Sequence, residues 1–274
     1  MRMAVVGHVE HVILARVPAL PSPGEIVHLD EPVTIAGGGG GVAFFQLAKS
    51  DAELHLFTAI GRDDAAHFVH GEVAETGAVI HAALRFVPHT RDLVLVTPGG
   101  ERTIFVVGRP LHPAHDDRLS WDILASCDGV YFTGEDPETL RYARAAKTLV
   151  VTARRARVLA AAGVRADVVV GSRRDPRERS RLADYATPPR ALVMTDGAAG
   201  GTVETAAGVE PFGAPAVGGV VGAYGAGDTF AAALTWYTAR GLPVLAACQR
   251  ASAHAAAVLG GINPLARQTR LEDA

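Results

Sequence analysis

Gly225-Ala226-Gly227-Asp228-Thr229-Phe230 runs straight into the apolar stretch Ala231-Ala232-Ala233-Leu234. A glycine-rich turn feeding a helix leaves backbone N–H groups unpaired at the positive end of the helix dipole, which makes an anion-binding site. Glycine belongs there because a side chain would hold a phosphate away from the backbone. An aspartate in this place can accept a proton from a substrate hydroxyl, while the N–H groups stabilise charge on a transferring phosphoryl group. The same residues also read as a plain helix start, since Asp is a common N-cap.

Upstream, short β-branched runs alternate with Ala-rich helical stretches. The strand candidates are Met3–Val6, Leu54–Ala59, Gly129–Thr133, Leu149–Thr152, Val168–Gly171 and Ala191–Thr195. The helix candidates are Val42–Lys49, Asp64–Thr76, Trp121–Ala125, Glu138–Ala146, Arg155–Ala162, Ala226–Arg240 and Val244–Leu259. This alternation predicts an α/β fold with a mostly parallel sheet covered by helices on both faces. Two segments break the rhythm. Residues 12–35 hold only short extended pieces between Pro18, Pro21, Pro23 and Gly24, and residues 84–107 read as successive strands around a turn at Pro98-Gly99-Gly100. Two such excursions suggest a small sheet folded over the body as a lid, the alternative being extensions of the main sheet. Gly208 to Gly222 reads as a loop or hairpin.

With 274 residues, 49% of them hydrophobic and 20% charged, the chain suits one large α/β domain and is not a disordered one. A formal net charge of −3 gives no electrostatic reason for nucleic acid or an anionic membrane as partner. The arginines from Arg173 to Arg181 alternate with Asp175 and Glu178 and read as a solvated segment. Cys127 and Cys248 form no paired motif, which fits a reducing compartment. Neither a signal peptide nor an apolar stretch of about 18 residues is present, so a cytoplasmic protein is expected. His8, Glu10 and His11 lack the spacing of a helical metal site, His112 and His115 beside Pro113 read as exposed, and no dinucleotide fingerprint follows the first strand.

Gly225-Ala226-Gly227-Asp228 with its small-residue helix resembles the C-terminal motif of the PfkB/ribokinase family of carbohydrate kinases. Other similarities follow in the family's order. Met3–Gly7 resembles the opening strand, Pro21-Ser22-Pro23-Gly24-Glu25 the segment leading into the lid, and Gly37 to Gly41 the substrate-side diglycine. Gly99-Gly100-Glu101-Arg102-Thr103 resembles the lid hairpin, and Thr195-Asp196-Gly197-Ala198-Ala199-Gly200 the nucleotide-side Thr-x-Gly-x-x-Gly stretch. The resemblance spans nearly the whole chain. It implies a ribokinase-like body with a β lid, Mg-ATP as donor and a sugar, nucleoside or related alcohol as acceptor. Asp228 would be the base and Gly225, Ala226 and Gly227 the anion hole. Thr195, Gly197 and Gly200 would line the nucleotide, and Gly37 and Gly38 would let the acceptor approach the backbone. Members often dimerise through their lids, which the apolar lid strands here permit.

The departures bear on the acceptor. The family's acid after the first strand is matched only by Glu10, at a different spacing; a carboxylate there can accept two hydroxyl hydrogen bonds. The usual asparagine after the diglycine is replaced by glycine, at about Gly41. The Asn-x-x-Glu near magnesium reads Ser172-Arg173-Arg174-Asp175, which leaves Asp175 to act through magnesium-bound water. The Asp-Thr pair tied to potassium in ribokinase reads Gly222-Ala223, so the resemblance gives no support for a monovalent cation. The expectation is an ATP-dependent kinase acting on a sugar or related small polyhydroxylated metabolite. A nucleoside, vitamin-precursor or phosphosugar kinase and a non-catalytic binding protein on a decayed kinase fold are the alternatives. For a phosphosugar, Arg102 or an arginine near Arg154 would hold the existing phosphate.

Overall fold

In the computed structural model, which describes residues 1–272, the apolar runs assemble into one nine-stranded sheet. Its strands are β1 (Arg2–Val6), β4 (Glu53–Ile60), β5 (Val79–Leu84), β8 (Gly129–Phe132), β9 (Thr148–Thr152), β10 (Val168–Ser172), β11 (Ala191–Thr195), β12 (Gly201–Thr205) and β13 (Gly208–Phe212). Their order across the sheet is β13-β12-β11-β10-β9-β8-β1-β4-β5. All neighbours are parallel except β11-β12 and β12-β13. Parallel strands covered on both faces must be apolar on both, and Met3, Ala4, Val5 and Val6 are all fully buried.

On one face lie α1 (Gly38–Leu47), α2 (Asp64–Ala74), α5 (Ala226–Ala239) and α6 (Val244–Val258), with Phe44, Val69, Phe230 and Trp236 in the core. On the other, a 3-10 turn at Trp121–Ser126, α3 (Pro137–Ala143) and α4 (Ala156–Ala162) bury Leu124, Leu140 and Leu159. Among the described residues no helix is long and apolar enough to cross a membrane.

A second, four-stranded sheet forms the lid, in the order β3-β2-β6-β7. It comprises β2 (Glu10–Arg16), β3 (Val33–Gly37), β6 (Arg91–Val96) and β7 (Arg102–Val107). Side chains alternate between its faces. Val12, Leu14, Val94 and Val96 point inward against Val42 and Tyr224. The hairpin tip is tied to the body, where the Ala223 N–H donates to the Gly100 carbonyl at 3.0 Å.

The structure shifts several expected boundaries. Residues 79–84 form β5 of the large sheet, so Leu84 lies outside the lid, whose first strand opens at Glu10. The 201–212 stretch is a hairpin that continues the large sheet. Helix α1 begins at Gly38, four residues before the apolar run, and the segment at 121 is 3-10 rather than α.

Candidate active site

Gly225 caps α5 in the left-handed conformation, with φ at +77°, which an L side chain adopts at a cost of about 1–2 kcal/mol. A methyl group there would also crowd Pro264 and Val42 at 3.0–3.1 Å. Asp228 is the third residue of the helix and not its cap, so the plain helix-start reading does not account for it. Its carboxylate looks across at α1: a methyl group on Gly39 would stand 3.2 Å from Asp228 Oδ1. Two helix N-termini therefore open onto one cleft with a carboxylate between them. Burial, and after it the charge of Glu178, push Asp228 up to about 7, against the pull of Arg154 and Arg102. A base poised there changes its charge in the range where proton transfer is efficient.

The glycine run shapes the opposite wall. Gly38 has φ at +77°, and a methyl group on it would stand 2.8 Å from Glu10 Oε2. The Gly38 N–H donates to the Tyr224 hydroxyl at 2.9 Å and the Gly39 N–H to His8 Nε2 at 3.3 Å. Glu10 is 5% exposed and neighbours Asp92, which stands on lid strand β6 and is 4% exposed. Burial, then the charge of Asp92, hold Glu10 far above the ordinary carboxylate range. His8 meets His112 edge to face at 4.8 Å between ring centroids. Burial keeps both rings neutral, with His112 brought down to about 3. Arg155 closes this wall by donating to the Thr133 carbonyl at 3.0 Å, Glu135 Oε1 at 2.7 Å and His112 Nε2 at 3.3 Å.

At the carboxyl ends of β10 and β11, Thr195 donates to the Gly171 carbonyl at 3.2 Å, and a 3-10 turn at Gly197–Ala199 leads to Gly200. The Arg174 guanidinium lies against Gly197 and contacts Asp196 Oδ1 at 3.5 Å. Asp175 pairs with Arg154 at 2.7 Å and Arg177 at 3.1 Å. Burial opposes it, but Arg177 and Arg154 hold Asp175 below its ordinary range. Glu178 accepts from the Ser172 N–H at 2.9 Å and from Arg154 at 2.7 Å.

Asp228, Gly225, Gly38 and Glu10 thus share one cleft, with Thr195 at the end of β11 and Gly197 and Gly200 on the loop that follows it. Gly37 faces Tyr224 and Val12, and Gly41 faces Val9 and the Ala36 carbonyl, so neither points at Asp228. The sequence reading overlooked Asp92, weighed His8 only as a metal ligand, took Glu178 as part of a solvated segment and did not single out Gly39 within the glycine run. It expected His112 to be exposed, yet that side chain is 8% exposed because His8 and Arg155 enclose it. His115 does lie at the surface, beside Asp136.

Residues 2–266 match the model of the pfkB family carbohydrate kinases. No curated protein matches the chain. Three similar solved structures are Arabidopsis thaliana ribokinase complexed with ribose and ATP, adenosine kinase from Sinorhizobium meliloti and a microbiome-derived acarbose kinase. The ribokinase is 16% identical, covering 98% of this chain and 96% of its own at a TM-score of 0.78. The adenosine kinase is 18% identical, covering 96% and 95%, at 0.79. The acarbose kinase is 21% identical, covering 97% and 98%, at 0.80. Sheet order, lid and family match agree, and the chain belongs to the pfkB family of carbohydrate kinases, phosphotransferases with an alcohol group as acceptor.

Proposed function

We propose that this kinase transfers the γ-phosphoryl group of ATP to a hydroxyl of a sugar or related small polyhydroxylated metabolite, with Asp228 as the base. The observation that carries this reading is the Asp228 carboxylate set at the N-terminus of α5, opposite the amides of α1 and within one cleft with Glu10. In the proposed sequence the acceptor hydroxyl gives its proton to Asp228 as the oxygen attacks the γ-phosphorus in line. The bond to the β,γ-bridging oxygen breaks, ADP leaves, and the amides of Gly225, Ala226 and Gly227 offset the developing charge. Thr195, Gly197 and Gly200 hold the nucleotide, with Arg174 over the same loop. Glu10 and Gly38 form the acceptor's wall beside Gly39, while Gly37 and Gly41 pack behind it. Glu178, whose charge reaches Asp228, and Asp175 through water would hold Mg²⁺, which would neutralise phosphate charge there.

ATP as donor fits a cytoplasmic site of action. The lid's outer strand β7 is an unpaired edge exposing Phe105 (51%) and Val107 (61%), which supports dimerisation through the lids. The test is ADP release with ATP and Mg²⁺ across sugars, polyols and nucleosides. Acceptor-dependent ADP and a phosphorylated product are expected. ATP binding without transfer to any acceptor would favour a non-catalytic binding protein.

A further inference from the structure

The acceptor side of the cleft holds more acid than a base requires. Glu10 and Asp92 sit on the paired strands β2 and β6, where Val12 lies opposite Asp92, so both carboxyls occupy the lid's inner face. Burial and the charge of Asp92 push Glu10 up to about 9, and burial pushes Asp92 up as well, so the pair holds a proton at neutral pH. Asp92 Oδ1 is buried and receives no hydrogen bond.

Arg155 is a positive charge that reaches Glu10, but its pull is smaller than the push of burial, of Asp92 or of Asp228. Among the described residues, neither carboxyl has an Arg or Lys in ion-pair contact. His8 Nε2 is 3.9 Å from Glu10 Oε1 but already accepts the Gly39 N–H, so it carries no proton there. Arg155 is engaged by Glu135 and the Thr133 carbonyl. Asp228 adds a further negative charge on the same side. A buried carboxylate without a cation is costly, and acids kept in that condition mark sites where a ligand completes the balance.

We infer that Asp92 and Glu10 form an acid pair that selects an acceptor bearing a protonated amino group near the hydroxyl to be phosphorylated, as in amino sugars, aminocyclitols and amino nucleosides. This rests on the kinase reading above and names the acceptor class for the same site. An ammonium group donates three hydrogen bonds, enough for the free Asp92 oxygen and for Glu10. On binding, the proton shared by the pair leaves to solvent, and both carboxylates face one ammonium. A neutral polyol would instead leave that proton in place.

The test measures kcat/KM at pH 7 for matched acceptors that differ only in an amino or hydroxyl group at one position, such as 2-amino-2-deoxy sugars and aminocyclitols beside their neutral counterparts. Wild type should favour the amino member at least tenfold. Asp92→Asn should bring that ratio towards one, chiefly through KM for the amino member, and Glu10→Gln should do likewise. Calorimetry in buffers of different ionisation enthalpy should show net proton release when an amino acceptor binds wild type, a signal that a purely structural Asp92 would not produce. Equal or reversed preference in wild type, or an Asp92→Asn variant that loses both members by the same factor, overturns the inference. Were Asp92→Asn to fail to fold, the wild-type ratio and the proton release would decide. Transfer confined to neutral acceptors rejects the acid-pair assignment and leaves the kinase reading standing; transfer to neither series rejects both.

Discussion

Asp228 is half-buried at the start of α5 and has no hydrogen-bonding duty as a cap, so its replacement separates chemistry from folding. Asp228→Asn should keep the fold and ATP binding while kcat falls by about 10²–10⁴-fold. Near-wild-type kcat in a folded variant would remove it from the mechanism. Because the base must be ionised, kcat/KM should rise with pH through about 7 and then level off. The stability linkage has the opposite direction. A carboxyl held in the folded state above its unfolded value of 3.8 favours folding at low pH and loses that contribution as pH rises through about 7. Wild type should therefore lose melting temperature over this interval relative to Asp228→Asn. Glu178 contributes to the raised value, so Glu178→Gln should move the rise in kcat/KM to lower pH; an unmoved profile would show that Glu178 does not act on the base. Asp228 and its glycines were legible because chemistry and local structure coincide in one short run. Asp92, His8, His112 and Glu178 were not, because strand pairing and loop packing, which the sequence does not display, bring them to the cleft.

Helix α1 shows how tertiary packing overrides propensity. Four successive glycines are poor helix formers, yet Gly38–Gly41 are helical. The reason is proximity: a side chain on Gly40 would run into the His8 carbonyl, and one on Gly38 into Glu10. Gly38→Ala should cost about 1–2 kcal/mol through its left-handed backbone alone, and it should raise acceptor KM more than ATP KM by displacing Glu10. Denaturant unfolding and steady-state kinetics check the two halves; a variant with unchanged acceptor KM would separate Gly38 from the acceptor. The central strands were readable because burial on both faces demands continuous apolar runs. Strands β5 and β12 were missed, and β13 was read only as part of a loop or hairpin from Gly208, because β5 and β13 are the half-exposed edges and all three carry polar residues such as His81, Thr202, Glu204 and Glu210 among their apolar ones.

At the scale of the molecule, the lid's free edge carries Ile104, Phe105, Val106 and Val107, all exposed. If lids pair, sedimentation should show a dimer, and Phe105→Lys with Val107→Lys should yield a monomer with an unaltered melting transition at low protein concentration. A wild-type monomer at every concentration would exclude the pairing. The hydrogen bond from the Ala223 N–H to the Gly100 carbonyl reaches further than the lid itself, since Ala223 stands two residues before Gly225. The tip of the lid is thereby joined to the loop that leads into Gly225, the proposed anion hole. Were the lid to swing outward, this hydrogen bond would have to break or pull that loop with it, and the proposed geometry for phosphoryl transfer would be lost. Such a linkage would act as an interlock against waste: with no acceptor to hold the cleft closed, ATP should survive on the enzyme rather than be hydrolysed by water.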